Sequence, residues 1–308
     1  MPRPEFSIGI VIPVYNKARL LRETLLSLVS QTLEDFKVVV VDDGSTDEIA
    51  EIVNEFEIDN RFIFIKNHKN MGESSSVNRG WKFLDTNYIG ILSADDPQVN
   101  DWLEVMCKFA LSNPGFVTYY PDLKIIDDDS LEIETIKLPV WKAQLVREKL
   151  ICVASAGAIH DKSMFPEGFI PRDSRVIYPS DLIQYLNFSL HGDGVKVPGV
   201  YGVWRKSQLG LTSQLTGQIK ATELNHAIRN WFSDNRIIQN DINVSRMQAN
   251  LIGQTWKLYR HDENKFKSLK LMSRMFEFGW FLNLKNLFEL IIAILERFLS
   301  MKSLRRNT

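Results

Sequence analysis

Cysteine is scarce in this chain: two residues in 308, Cys107 and Cys152, far apart and in no metal-ligand spacing. A reduced cytosolic compartment fits that usage. The five histidines (His68, His160, His191, His226 and His261) form no H-x-x-x-H or similar cluster, which argues against a His-based zinc site. Charge of one sign is missing too, since 37 basic and 38 acidic residues leave a net charge of −1. No global electrostatic case for nucleic acid exists at that balance. The opening residues Met1-Pro2-Arg3-Pro4-Glu5 lead to a strand without the apolar region of a signal peptide. No internal repeat or low-complexity tract is visible. What remains is an ordinary globular composition, 44% hydrophobic and 24% charged, long enough for one large domain or one domain and an appendage.

The organising stretch runs from Phe36 to Asp47. Val38 to Val41 form a charge-free β-branched run, the pattern of a strand buried on both faces. It stops at Asp42-Asp43-Gly44-Ser45-Thr46, where Gly44 permits a sharp turn. Ser45 and Glu48 have the spacing of a capping box, and Ile49, Ile52, Val53 and Phe56 follow at helical spacing. The two carboxylates therefore belong at the carboxyl end of a buried strand, where open α/β sheets bind ligands.

The same alternation covers the first hundred residues. Ser7 to Pro13 reads as a first strand, followed by Asn16 as the N-cap of a helix carrying Leu21, Leu25 and Leu28. Phe62 to Lys66 and Tyr88 to Leu92 are further strands, with a helix bearing Val77, Trp81 and Leu84 between them. Four strand–helix repeats predict a parallel sheet covered on both sides. Beyond them lie a helix over 101–111, a strand over 116–120, and an acidic hairpin or loop over 122–138 at the sheet edge. Ser180-Asp181 opens another helix, and Gly194 to Tyr201 reads as a short strand. From 215 onward no convincing strand and almost no proline occurs, so that region reads as helical.

Two strands end in acidic pairs, Asp42-Asp43 and Asp95-Asp96. In a parallel sheet both ends face one edge, so four carboxylates can converge, and that needs a cation or a donor-rich ligand. Oxygen ligands suit Mg²⁺ or Mn²⁺ bridging phosphate oxygens. The first strand–helix turn has neither G-x-G-x-x-G nor a Walker lysine, which argues against a dinucleotide or P-loop site.

The motifs I-V-I-P-V-Y-N, V-V-V-D-D-G-S-T-D, N-M-G-E-S-S-S-V-N-R-G and I-L-S-A-D-D-P occur in that order. Over roughly residues 6–210 the chain resembles the family 2 glycosyltransferases. The resemblance implies a GT-A fold, inverting transfer from a nucleoside-diphosphate sugar, and divalent metal. It implies that Pro13, Tyr15 and Asn16 lie beside the nucleotide, that Asp42 meets the nucleobase with Asp43 next to it, and that Gly72, Asn78 and Arg79 lie near the ribose and diphosphate. Asp95 and Asp96 match the end of the D-x-D element and become the metal candidates. Ser93 stands where that element has its first Asp, and its hydroxyl can still bond a ribose. The general base falls on Asp181 in Tyr178-Pro179-Ser180-Asp181-Leu182, with Ser180 in place of the family's Glu and Asp173 as the fallback. A helix N-terminus there favours the ionised form. Arg205 and Lys206 match basic residues that close over the leaving diphosphate.

The processive members' Q-x-x-R-W is absent, as are flanking membrane spans, so the expected activity is single addition to a glycan or lipid-linked acceptor in bacterial surface polysaccharide or glycolipid synthesis. The alternatives are a non-catalytic nucleotide-sugar-binding module on the same fold and a nucleotidyltransferase. The expected organisation is a GT-A domain over 1–210 and a helical region over 211–308. Within the latter, 278–306 holds an amphipathic stretch suited to a peripheral membrane contact, a dimer contact or packing on the domain. The expected location is the cytoplasm, with the inner face of the cytoplasmic membrane as the site of any peripheral contact.

Overall fold

The computed structural model describes residues 7–152, 156–207 and 214–235, with scattered helical positions between 247 and 258. The first strand, β1 (Ile8–Val14), is buried along its whole length. Ile8, Ile10 and Ile12 join a core with Leu21, Leu25 and Leu28 of α1 (Ala18–Val29). Val11 points to the opposite face and meets α3 (Glu73–Phe83) at Gly80. The strand β2 (Lys37–Asp42) is buried at every position after Lys37. Two-sided burial is what its unbroken valine run encodes.

The connections alternate as the sequence predicts: α2 (Ile49–Phe56) leads to β3 (Phe62–Lys66), and α3 leads to β4 (Tyr88–Ile91). β1 pairs in parallel with β2 on one side and β4 on the other, and β2 pairs in parallel with β3. The spatial order β3-β2-β1-β4 places the reversal of chain direction across the sheet between β1 and β4. Such a switch point opens a crevice at the carboxyl ends of the strands.

The other half of the sheet is mixed. After α4 (Trp102–Ser112), β5 (Thr118–Ile126) runs past the expected strand and turns back into β6 (Glu132–Ile136). The acidic 122–138 segment is thus mostly a hairpin, with the turn at 127–131. α5 (Ala143–Lys149) follows. Next, β7 (Ile159–Asp161) inserts antiparallel between β4 and β5. After α6 (Ser180–Phe188), the twelve-residue β8 (Gly194–Arg205), longer than its sequence suggested, pairs in parallel with β5 from Thr118 to Ile126 through register shifts.

The described residues fall into two compact units: those up to Arg147 with those from Ile151 to Gln214, and Glu148–Leu150 with those from Leu215 onward. In the second, α7 (Gly217–Asp234) is capped by Thr216, whose side chain accepts the Ile219 N–H. It buries Leu224, Ile228 and Trp231. Asn250 and Gln254 donate side-chain hydrogen bonds to the main-chain carbonyls of Glu148 to Leu150. No helix among the described residues is long and apolar enough to cross a membrane. The amphipathic stretch at 278–306 lies outside the described residues.

Candidate active site at the carboxyl edge of the sheet

The loops after β1, β2 and β3 are stitched together by their own polar side chains. Val14 accepts the Asp43 N–H at 2.8 Å, and Asp42 accepts the Asn67 N–H on its carbonyl at 2.7 Å. Asn16 adopts φ 52° and does not cap α1. Its amide oxygen accepts the Thr46 N–H at 2.9 Å, and its own N–H donates to Ser45 Oγ at 3.0 Å. The start of α1 is satisfied from the neighbouring loop, with Ala18 N–H donating to Asp47 Oδ2 at 2.9 Å. Ser45, spent on Asn16, forms no capping box, and α2 begins only at Ile49. Gly44 has φ +78°, and a Cβ there would lie 2.6 Å from the Lys69 carbonyl carbon, so the turn requires glycine. Pro13 is buried in β1, while Tyr15 is 45% exposed at its end.

Asp42 and Asp43 do different work. Asp42 accepts the Ser45 N–H at 2.8 Å and pairs with Lys66 Nζ at 3.1 Å. Burial opposes its charge, but the Ser45 hydrogen bonds and the Lys66 ammonium outweigh that, holding the carboxyl below its ordinary range. Asp43 is turned inward, accepting from Asn67 Nδ2 at 2.7 Å and from the Met71 and Gly72 N–H groups at 2.8 Å. It fixes the 70–72 turn that starts α3, instead of standing open to a ligand.

At the switch point, the β4 loop presents Ser93, Asp95 and Asp96. Ser93 is exposed. Thr24 Oγ1 anchors the loop at the Ala94 carbonyl, and Gln98 Nε2 donates to the Asp96 carbonyl. Asp95 Oδ2 accepts from Lys17 Nζ at 2.7 Å, so the loops after β1 and β4 meet through an ion pair. Asp96 is buried and accepts the Arg205 N–H at 2.8 Å. Burial and the adjacent Asp95 charge push its carboxyl well above the usual range.

Arg205 is not available to close over a leaving group. Its side chain is fully buried, with Nε donating to the Asp95 carbonyl at 2.9 Å and Nη1 to the Asp127 carbonyl at 2.7 Å. Nη2 reaches Glu23 Oε2 at 2.7 Å and Ser130 Oγ at 3.1 Å. It is a strut between the Asp95-Asp96 loop and the β5–β6 turn.

Asn78 and Arg79 are also engaged internally. Asn78 exchanges hydrogen bonds with the main chain of Arg172, at 2.7 and 3.0 Å. Arg79 Nη1 donates to the Lys66 carbonyl at 2.9 Å and to Asn67 Oδ1. Arg172, buried, ties α3 to α6 through Glu73 at 2.6 Å and Gln184 at 2.8 Å. Asp181 is exposed in the first turn of α6, and the Cys152 thiol hydrogen-bonds to it. Asp173 is held on both oxygens by the Arg175 guanidinium, at 2.7 to 3.0 Å.

The four carboxylates therefore do not pool. Asp42 and Asp95 each face a lysine, while Asp43 and Asp96 are committed to main-chain N–H groups. Among the described residues, no group of three or more acidic, histidine or cysteine side chains is arranged to hold a metal. Sequence reasoning missed Lys17, Lys66 and Arg172. Strand register would have exposed Lys66, which lies opposite Asp42 across the β2–β3 pair.

The sequence model of "Glycosyl transferase family 2" matches residues 9–149, spanning every strand and loop of this edge up to α5. Residues 9–149 are a family 2 glycosyltransferase domain. The glycosyltransferase GlyA of Streptococcus pneumoniae is 38% identical over 102 residues, 33% of this chain and 14% of that protein. An uncharacterised glycosyltransferase of Rickettsia bellii is 30% identical over 171 residues, 54% of this chain and 24% of its own length. The chain thus spans about a quarter or less of these two relatives. Among solved structures, TarS 1–349 of S. aureus with UDP-GlcNAc matches at TM-score 0.63 and 16% identity, over 85% of this chain and 74% of that one. A mannosyltransferase of Pyrobaculum calidifontis with GDP-Man and Mn²⁺ matches at TM-score 0.53 and 15% identity, over 89% and 81%. This glycosyltransferase domain has the GT-A architecture of those neighbours, a mostly parallel sheet flanked by helices.

Proposed function

We propose that the chain transfers one sugar, with inversion, from a nucleoside-diphosphate sugar to a hydroxyl of a glycan or lipid-linked acceptor in surface polysaccharide or glycolipid synthesis. The observation that carries this reading is the pair of carboxylates presented beside the switch point, Asp42 and Asp95, each balanced by a lysine. In this reading the donor lies over the β1, β2 and β4 loops. Tyr15 covers the base, Asp42 accepts from its N–H edge, and Ser93 reaches the ribose.

Asp95 is the residue that fits a divalent cation. It is a hard oxygen donor at the switch point that already draws a positive charge to itself, and Mg²⁺ or Mn²⁺ typically takes one or two carboxylates plus substrate phosphates. Asp96 fits poorly, because it favours its protonated form and is spent on the Arg205 N–H. A cation on Asp95 would neutralise the departing diphosphate.

Asp181 is the proposed base. It takes the acceptor hydroxyl proton as that oxygen bonds to the anomeric carbon and the bond to the diphosphate breaks. Its exposure at the start of α6 suits contact with an acceptor, whereas Asp173 is occupied by Arg175.

Thermal-shift screening of a nucleotide-sugar panel with Mn²⁺ identifies the donor, because specific binding raises apparent stability. With that donor, Asp95→Ala should weaken metal-dependent binding in calorimetry. Asp181→Asn should bind donor near normally while transfer falls roughly 10²-fold or more. Equal donor affinity in EDTA with no effect of Asp95→Ala, or full transfer by Asp181→Asn, overturns the corresponding assignment.

A further inference from the structure

Lys17 is unexplained by the donor site as described. It is the last residue of the β1 loop, directly before α1, and its ammonium reaches across the switch point to Asp95 Oδ2 at 2.7 Å. A simple surface pair would be a weak and dispensable contact. This one is different in its location, since Asp95 is only 10% exposed at the side chain while Lys17 is 31% exposed. Lys17 Nζ therefore holds an oxygen of a carboxylate that is itself nearly buried. The remaining groups around Asp95 come from the protein side: its carbonyl takes Arg205 Nε, and Asp96 beside it is buried.

We infer that Lys17 is a built-in competitor for the divalent cation at Asp95, occupying the carboxylate whenever the metal is away. This rests on the metal reading above and sharpens it. An ammonium and a divalent ion cannot share one carboxylate oxygen at bonding distance, and their like charges repel strongly this close. A cation on the other oxygen would still face the ammonium's repulsion, so its binding displaces Lys17 from Asp95. The freed ammonium, on a flexible stem with three donors, is then near the place where the donor's diphosphate lies, so metal and diphosphate favour each other's binding. Without a diphosphate, Lys17 stays on Asp95 and metal affinity is low.

The test is titration of donor-free protein with MnCl₂, reading free Mn²⁺ by electron paramagnetic resonance. Lys17→Met and Lys17→Gln, two neutral variants, should each bind Mn²⁺ about tenfold more tightly than the parent, as removal of a neighbouring positive charge predicts. Lys17→Arg should stay within about threefold of the parent, since it keeps the charge. Adding Asp95→Ala to any of these should abolish the tight site. Unchanged or weaker Mn²⁺ binding in both neutral variants, with Asp95→Ala still lowering affinity, overturns the competitor role and leaves the metal site standing. Mn²⁺ binding that ignores Asp95→Ala in every background overturns both.

Discussion

At Asp96 two effects act in one direction: burial to 2% exposure and the neighbouring charge of Asp95 both favour the protonated carboxyl. In the unfolded chain the same group releases its proton near pH 4. Between that value and its raised folded value, the native state holds more protons than the unfolded state, so stability falls as pH rises. Asp96→Asn keeps an oxygen for the Arg205 N–H and removes the titration. In EDTA, its melting temperature relative to the parent should be higher at pH 8 than at pH 5. An identical offset at both pH values would show that Asp96 titrates normally. The sequence showed the Asp95-Asp96 pair without this asymmetry. The strand has ended before them, so no inside–outside alternation tells which carboxylate meets Lys17 and which is spent on the Arg205 N–H. Arg205 differs from its expected place over the leaving diphosphate for a related reason: only β8's pairing with β5, Ile126 beside Arg205, carries it under the loop.

Elements were far more legible than their ends. Runs such as Val38 to Val41 and the leucines of α1 are long periodic signals, and they resolve into β2 and α1 as expected. Caps depend on one side chain, which can come from elsewhere: Asp47 satisfies α1 from across a loop, and Asn16 and Ser45 are consumed in joining the two loops. Close approach between elements is equally hidden in sequence. Gly80 in α3 looks like a weak point in a helix, yet a Cβ there would lie 2.4 Å from Val11 Cγ1, buried in β1. Gly80→Ala gains about 1 kcal/mol of helix propensity but must push α3 off the sheet. Overpacking of this kind costs about 1–3 kcal/mol, and the net loss should appear as a lower urea midpoint at unchanged slope. Val11→Ala alone should also destabilise, but combined with Gly80→Ala it should recover part of the loss, because contacting residues couple. Strict additivity would mean that α3 relaxes elsewhere.

On the scale of the whole molecule, the alternation of strands and helices was enough to name the sheet and the carboxyl edge at which its acidic loops gather. The acceptor was not legible, since it depends on loop side chains that no periodic rule decodes. The C-terminal sequence bears on that question. Leu284, Leu287, Phe288, Ile291, Ile294, Leu295 and Phe298 recur at helical spacing, with Leu290, Ile292 and Leu299 beside them. Lys285, Glu289, Glu296 and Arg297 interrupt the apolar run well short of the roughly 20 residues a spanning helix needs. Trp280 and Phe281 precede the stretch, and Lys302, Arg305 and Arg306 follow it, a flanking pattern suited to an anionic surface. Under the lipid-linked acceptor proposed above, such docking would have a purpose, because it would hold the protein at the surface that carries its substrate. The full chain should therefore float with anionic liposomes, and a chain ending near Phe276 should stay at the bottom of the gradient. Added salt should weaken flotation of the full chain through screening of the terminal basic residues. If neither protein floats while the shortened chain keeps its fold by circular dichroism, the apolar stripe is an internal or oligomer surface, and a shift in molecular mass between the two by light scattering separates those outcomes.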